Sequence, residues 1–425
     1  MSDDLDIRHG GAIAVDTEAL RDIGRRLGAL TARLDDARTS VARACTLVAA
    51  APHFPWAVDL PRLVAGGQAI GSLARQTAEA STGTLLMADA YEVVELRAQA
   101  EALGLADTAE ANAVHARLER LLASDDRLAG MADCLTADWE EGRFAGLDRQ
   151  FDIGALSALF LVGAAASVRT GAGTLPPGAR LRGTADAVSV IAVRTTTPNA
   201  APADLAAALS RFPKAPDAQV RVEKYTMPDG TRRFVAYVKG TQSVAFGGAD
   251  PWDMRSNRQL YTGERAASYQ ATVDAIAAAG AAPGDRVDIV GHSQGGMIAS
   301  RIAMESGFDV GVLITAGSPV EPALDADQML VQLRHTDDVV SSLAGGGSPG
   351  GTGSADSFTA QRVGDPERRI QDLLLAPHLL EEYIETAERV DESGDPRVAA
   401  LDRLWSELDQ AVGIESTDYR ATRAE

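Results

Sequence analysis

Asp288-Ile289-Val290-Gly291-His292-Ser293-Gln294-Gly295-Gly296 decides how this chain folds. Val287 to Val290 is a short apolar run suited to a buried strand, and Gly296 to Met304 continues at helical spacing, so a G-x-S-x-G lies where strand gives way to helix. Such a junction holds Ser293 on a tight, strained turn, with glycines two before and two after so that neighbouring backbone can approach. The serine oxygen is then presented at the carboxyl edge of the sheet. A helix that starts at Gln294 aims its free backbone N–H groups at the same spot, which favours negative charge developing there. G-x-S-x-G alone arises by chance in glycine-rich chains. With strand and helix on either side, Ser293 reads as a nucleophile rather than a turn serine.

Working outward, Val312 to Ala316 and Leu330 to Leu333 are further short apolar runs separated by helical segments, the signature of parallel strands with crossover helices. Upstream, Val188 to Val193 is a strand candidate, and Val220 to Tyr225 and Arg233 to Val238 flank the turn Pro228-Asp229-Gly230 as a hairpin. Before that the texture changes. From Val15 to about Ala145 apolar residues such as Leu20, Ile23, Leu27, Leu30 and Leu34 recur at helical spacing, with an N-cap at Asp16 or Thr17 and a proline hinge at Pro52, Pro55 and Pro61 near Trp56. Further helices are expected over about Leu63 to Leu103, Ala109 to Ala123 and Arg127 to Glu141. The expected architecture is an all-α helical bundle over residues 1–150, an apolar helix and Gly/Pro-rich linker over 151–184, and an α/β domain with a mostly parallel sheet and C-terminal helices over 185–425. Two domains suit 425 residues, more than one core usually serves.

Composition is that of an ordinary globular chain, 45% hydrophobic and 24% charged, so a core can form. The net charge of −20 argues against nucleic acid and anionic membrane surfaces as primary partners, because both need a basic face. Cys45 and Cys134 have no metal-site spacing and read as free buried thiols, or as a pair if the chain is exported. The acidic N-terminus lacks the pattern of a Sec signal peptide. Ile153 to Val168, the one long uncharged apolar run, falls short of the roughly 20 residues that span a bilayer and reads as a buried helix, with membrane contact left open. H-E-x-x-H, a Walker A loop and a complete G-x-G-x-x-G are all missing, so neither cofactor nor metal is implied.

A serine hydroxyl needs a base. Of six histidines, His9, His53 and His115 lie in the helical half and His292 is inside the turn, leaving His335 and His378. The strand-turn-helix serine resembles that of the α/β-hydrolases, whose chain order is serine, acid, histidine. Asp337 and Asp338 stand directly after His335, where the acid is expected, so the order selects His378 as base.

Val238-Lys239-Gly240-Thr241, Gly291 to Gly295, Gly317-Ser318-Pro319, Asp338-Val339-Val340 and His378 before Tyr383 occur in this order. Together they resemble the class 3, fungal triacylglycerol lipase-like branch of the α/β-hydrolases, over roughly residues 185 to 390. The resemblance implies Asp338 rather than Asp337 as the acid, Thr241 as an oxyanion donor beside the Gln294 N–H, and an ester or lipid substrate. Lys239 stands where arginine is common in that family. Ala245 to Leu260, with Phe246, Trp252 and Met254, occupies the place of the family's lid and reads either as a gate or as a packed loop. Gly345 to Ser354 is expected to be a flexible Gly/Ser stretch.

The first hundred residues, two long helices with a hinge, resemble WXG100 and related type VII secretion substrates. Tyr91-Glu92-Val93-Val94-Glu95 fits the Y-x-x-x-D/E export pattern, although Trp56 is followed by Ala57 and Val58 rather than x-Gly. Tyr91 and Glu95 are equally a helix surface pair one turn apart. Two function classes follow: a serine esterase or lipase, cytoplasmic or exported by a type VII system, or a secreted effector whose helical half engages a helical partner or the secretion machinery while the hydrolase half is a toxin or degenerate scaffold.

Overall fold

A computed structural model describes residues 5–8, 17–50, 58–103, 109–142, 173–345, 352–365 and 376–424. Two compact units result, one of N-terminal helices and one built on a mixed sheet.

The helical unit contains α1 (Thr17–Ala49), α2 (Leu60–Leu103), α3 (Ala109–Leu122) and α4 (Arg127–Gly142). Antiparallel packing of α1 on α2 shows in which residues meet: Arg21 with Asp89, Gly24 with Leu85, Arg38 with Gly71 and Val41 with Gly67. Glycines on both helices let the backbones approach, and Ser81 Oγ donates to Gly24 O at 2.7 Å. Buried Glu92 accepts from Arg21 and from Arg117 of α3, which turns a carboxylate that would be costly alone into a junction of three helices. Cys45 is half-buried and Cys134 exposed, and both are free, so neither is the buried thiol expected. Asp16, Pro52, Pro55 and Trp56 of the proline hinge, Ile153 to Val168 and most of Gly345 to Ser354 lie outside the described residues, while Pro61 stands in the first turn of α2. No described helix is long and apolar enough to cross a membrane.

The second unit carries a nine-stranded sheet in the order β1 (Asp6–Arg8), β10 (Phe358–Arg362), β9 (Met329–His335), β7 (Val312–Ala316), β6 (Arg286–His292), β5 (Arg232–Val238), β4 (Val220–Thr226), β11 (Gly413–Arg423), β3 (Val188–Thr196). The run from β10 to β5 is parallel, and the pairings at either end are antiparallel. Along β5, Phe234, Ala236 and Val238 join the core on one face while Val235 and Tyr237 join that on the other, the period-2 pattern of a strand covered on both sides. One face is covered by α6 (Met254–Tyr261), α7 (Ala267–Ala278) and α8 (Gln294–Glu305), the other by α5 (Leu205–Leu209), α10 (Leu380–Asp391) and α11 (Pro396–Leu408). The four-residue helix α9 (Val339–Ser342) follows β9.

Three elements depart from the expected layout. Asp6–Arg8, placed by sequence with the helices, is an edge strand of the sheet. Gly413–Arg423, within the expected C-terminal helices, is a strand between β3 and β4. The linker expected up to Arg182 is, from Gly173 on, packed: Leu175 and Leu181 are core residues, β2 (Thr174–Leu175) pairs with β8 (Glu321–Pro322), and Leu181 N–H donates to Glu305. Two apolar residues six positions apart, Leu175 and Leu181, give this Gly/Pro segment a reason to stay down.

Candidate active site

Ser293 links β6 to α8 with φ 54° and ψ −121°, and it is the one non-glycine residue at positive φ among the described residues. Such a backbone costs about 1–3 kcal/mol and persists only where its surroundings enforce it. The glycines around it do so. A Cβ on Gly291 would overlap the Gly295 carbonyl, one on Gly295 would overlap the Val238 carbonyl, and one on Gly296 would lie 2.7 Å from Ser318 Cβ. The elbow is thus wedged against the end of β5 and the loop after β7. Ser293 is only 8% exposed.

The structure brings Ser293, His378 and Asp338 together in the predicted order. Ser293 Oγ lies 2.8 Å from His378 Nε2, and His378 Nδ1 lies 2.7 Å from Asp338 Oδ2. Asp338 also accepts from the Tyr383 hydroxyl at 2.7 Å and, as N-cap of α9, from Val340 N–H at 2.8 Å. Burial by itself would push its carboxyl up, but His378, the Tyr383 hydroxyl and the Val340 N–H outweigh burial and hold it below the usual carboxylate range. A carboxylate here fixes the imidazole as Nδ1–H, leaving Nε2 to accept the serine proton.

Asp337 faces elsewhere: its oxygens accept from Gly364 N–H at 2.7 Å and Asp365 N–H at 2.9 Å. Thr241 follows Gly240, where a Cβ would sit 2.9 Å from Ser293 Cβ, so the loop after β5 passes directly over Ser293. Thr241 Oγ1 accepts from Asn257 Nδ2 at 2.9 Å, which leaves its own proton free to donate. Gln294 begins α8, and its side chain is turned away to the Asp253 carbonyl. Lys239 supplies its backbone carbonyl to Trp252 Nε1–H at 3.0 Å.

Of the expected lid segment, Trp252 is fully buried and Asp253 is clasped by Arg423 at 2.6 and 3.0 Å, while Phe246 is 65% exposed, as is Val244, just before the segment, at 92%. Its C-terminal half is therefore packed and its N-terminal tip stands out.

Sequence reasoning set aside two histidines that the structure puts beside the turn carrying His378. His292 Nε2 lies 2.9 Å from the His378 carbonyl, and His335 Nδ1 lies 2.6 Å from the Pro377 carbonyl. Burial, with His378 adjacent, pushes His292 down to about 3, and burial takes His335 to about 4. Tyr383, seen in the sequence only as part of a spacing, stacks on His335 at 4.0 Å while holding Asp338. Asn257 carried no signal: its role depends on a contact 16 residues away.

The chain was compared with protein-family models, curated proteins and solved structures, and it matches none of them.

Proposed function

We propose that this protein is a serine hydrolase of the α/β-hydrolase type, resembling class 3 lipases, that cleaves carboxylic esters through an acyl-enzyme. The observation that carries this reading is the unbroken chain Ser293 Oγ, His378, Asp338, with contacts of 2.8 and 2.7 Å, on a serine held at positive φ. Ordinary turn serines need neither.

In this mechanism His378 Nε2 takes the Ser293 proton as Oγ attacks the ester carbonyl carbon, and the carbonyl π electrons move to oxygen. The resulting oxyanion is met by the Gln294 N–H at the start of α8 and by the Thr241 hydroxyl that Asn257 orients. Collapse of the tetrahedral intermediate expels the alcohol, which takes the proton from His378, and leaves an acyl-Ser293 ester. Water, deprotonated by the same imidazole, then releases the acid and restores the serine. Throughout, Asp338 stabilises the imidazolium without itself being protonated.

A fluorophosphonate probe tests the proposal. Wild type should label covalently in the full-length chain and Ser293→Ala should not. Failure of a folded wild type to label overturns it.

A further inference from the structure

Base, nucleophile and acid reach the site from three separate pieces of chain. Ser293 follows β6, Asp338 follows β9, and His378 ends a three-residue 3-10 turn, Ala376–His378. A reacting triad needs these pieces in register to a fraction of an ångström. The sheet fixes β6 and β9 relative to each other through β7. What fixes the turn is a pair of contacts that the reaction itself does not use.

Resting on the hydrolase reading, we propose that His292 and His335 are positioning residues, two neutral imidazoles that grip the successive carbonyls of Pro377 and His378 and so set where the base stands. His292 immediately precedes Ser293, and its bond to His378 O ties the base's turn to the backbone that carries the nucleophile. His335 lies three residues before Asp338, and its bond to Pro377 O ties the same turn to the backbone that carries the acid. Each imidazole thus references the base to one of its two partners.

The chemistry fixes both tautomers. A carbonyl oxygen can only accept, so His292 carries its proton on Nε2 and His335 on Nδ1. The other nitrogen of His335 is then an acceptor facing the Thr386 hydroxyl at 2.7 Å, whose Oγ1 also lies 3.0 Å from Glu382 O and receives Arg362 Nε–H at 2.7 Å. Burial of both histidines opposes a second proton, and at His335 the charge of Arg362 opposes it further. The remaining surfaces hold the rings in place. His335 is sandwiched between Tyr383, at 4.0 Å and an interplanar angle of 4°, and Gly364, where a Cβ would sit 2.5 Å from its Nδ1. His292 packs against the His378 ring at 5.1 Å and against Gly240, where a Cβ would sit 3.0 Å from its Nδ1.

The test uses the full-length chain and four variants. His292→Gln and His335→Asn keep an amide N–H near the lost ring donor, and His292→Leu and His335→Leu do not. Fluorophosphonate labelling rate, kcat and KM for a soluble p-nitrophenyl ester, the pH profile of kcat/KM and the melting temperature are read for each. The leucine variants should lose about 100-fold in kcat and labelling rate, the scale of an ångström's misplacement, with KM little changed. Their basic limb in kcat/KM should shift, and the amide variants should recover most of the rate. The double leucine variant should lose far less than the product of the two single losses, because both residues hold one turn. Long-range ¹⁵N imidazole spectra of wild type should show one neutral Nε2–H ring and one neutral Nδ1–H ring that persist to about pH 5. Should the leucine variants not fold, the amide variants decide, and rates as low as those of a misplaced base with an intact fold overturn the clamp. Wild-type rates in folded leucine variants also overturn it while leaving the hydrolase reading intact. An unlabelled wild type instead removes the reading on which the clamp rests.

Discussion

Exchanging Asp338 for asparagine isolates what the buried carboxylate does. Oδ2 accepts from His378 Nδ1–H and Tyr383 O–H, both at 2.7 Å, while Oδ1 accepts from Val340 N–H at 2.8 Å. An amide cannot serve all three. With its oxygen toward His378, its NH2 meets the Val340 N–H and the negative charge facing the imidazolium is gone. With the amide turned round, its NH2 forces Nδ1 to accept, Nε2 becomes the protonated nitrogen, and the base can no longer take the Ser293 proton. Either outcome strikes kcat. Triads that lose this charge fall by about 10⁴, or about 5.5 kcal/mol at 1.36 kcal/mol per decade. Asp337→Asn removes a carboxylate that binds Gly364 and Asp365 N–H groups instead, so it should lower melting temperature by the equivalent of about 1–3 kcal/mol while changing kcat less than about 10-fold. Steady-state hydrolysis of a p-nitrophenyl ester, with melts monitored by circular dichroism, separates the two. Equal losses of kcat at both positions, or a larger loss at Asp337, would refute the assignment.

Two further expectations concern stability. Gly295→Ala drives a Cβ into the Val238 carbonyl and to 2.7 Å from the Lys239 carbonyl, backbone atoms at the end of β5, and should destabilise by about 3 kcal/mol, whereas Gly413→Ala, with open space around it, should not; equal melting temperatures for the two variants count against the wedged elbow. Asp391 caps α5 through the Leu205 and Ala206 N–H groups, yet burial pushes its carboxyl up to about 6. Because the folded state binds this proton more tightly than the unfolded chain does, wild type should gain on Asp391→Asn as pH falls from about 7 to about 4, and a melting gap constant over that range contradicts it.

Reading the sequence worked where the signal is local. The strand, glycines and helix around Ser293 are contiguous, and Val312–Ala316 lies where its apolar run put it. The serine, acid, histidine order selected His378 without any geometry. β11 escaped because its charges hide the strand period: Asp418 is buried against Arg221 at 2.6 Å, a partner 197 residues distant that makes a charged position suitable for a covered sheet, and Glu415 meets Lys224 at 2.8 Å on an exposed position. β1 is three residues long and is held by partners distant in the chain, the ladder to β10 and the Arg397 guanidinium on Ile7 O. His292 and His335 were passed over for a related reason. Nothing next to them in the chain shows that they face the Pro377 and His378 carbonyls.

The order in which strands lie in the sheet runs against the order in which they are made. Asp6 pairs with Gln361 and Thr196 with Ser416, so both borders of the sheet wait for the last part of the chain to emerge. During synthesis α1 to α4 can form from contacts between near neighbours in sequence, while β3, already made, has no partner until β11 leaves the ribosome. A nine-residue strand rich in valine and isoleucine is thereby left unpaired until a partner 220 residues further along the chain has been made. The stretch of chain most in need of protection from wrong partners is therefore one far from Ser293, and substitutions that weaken β11 should show first as lost yield of folded protein rather than as weaker probe labelling of the protein that does fold.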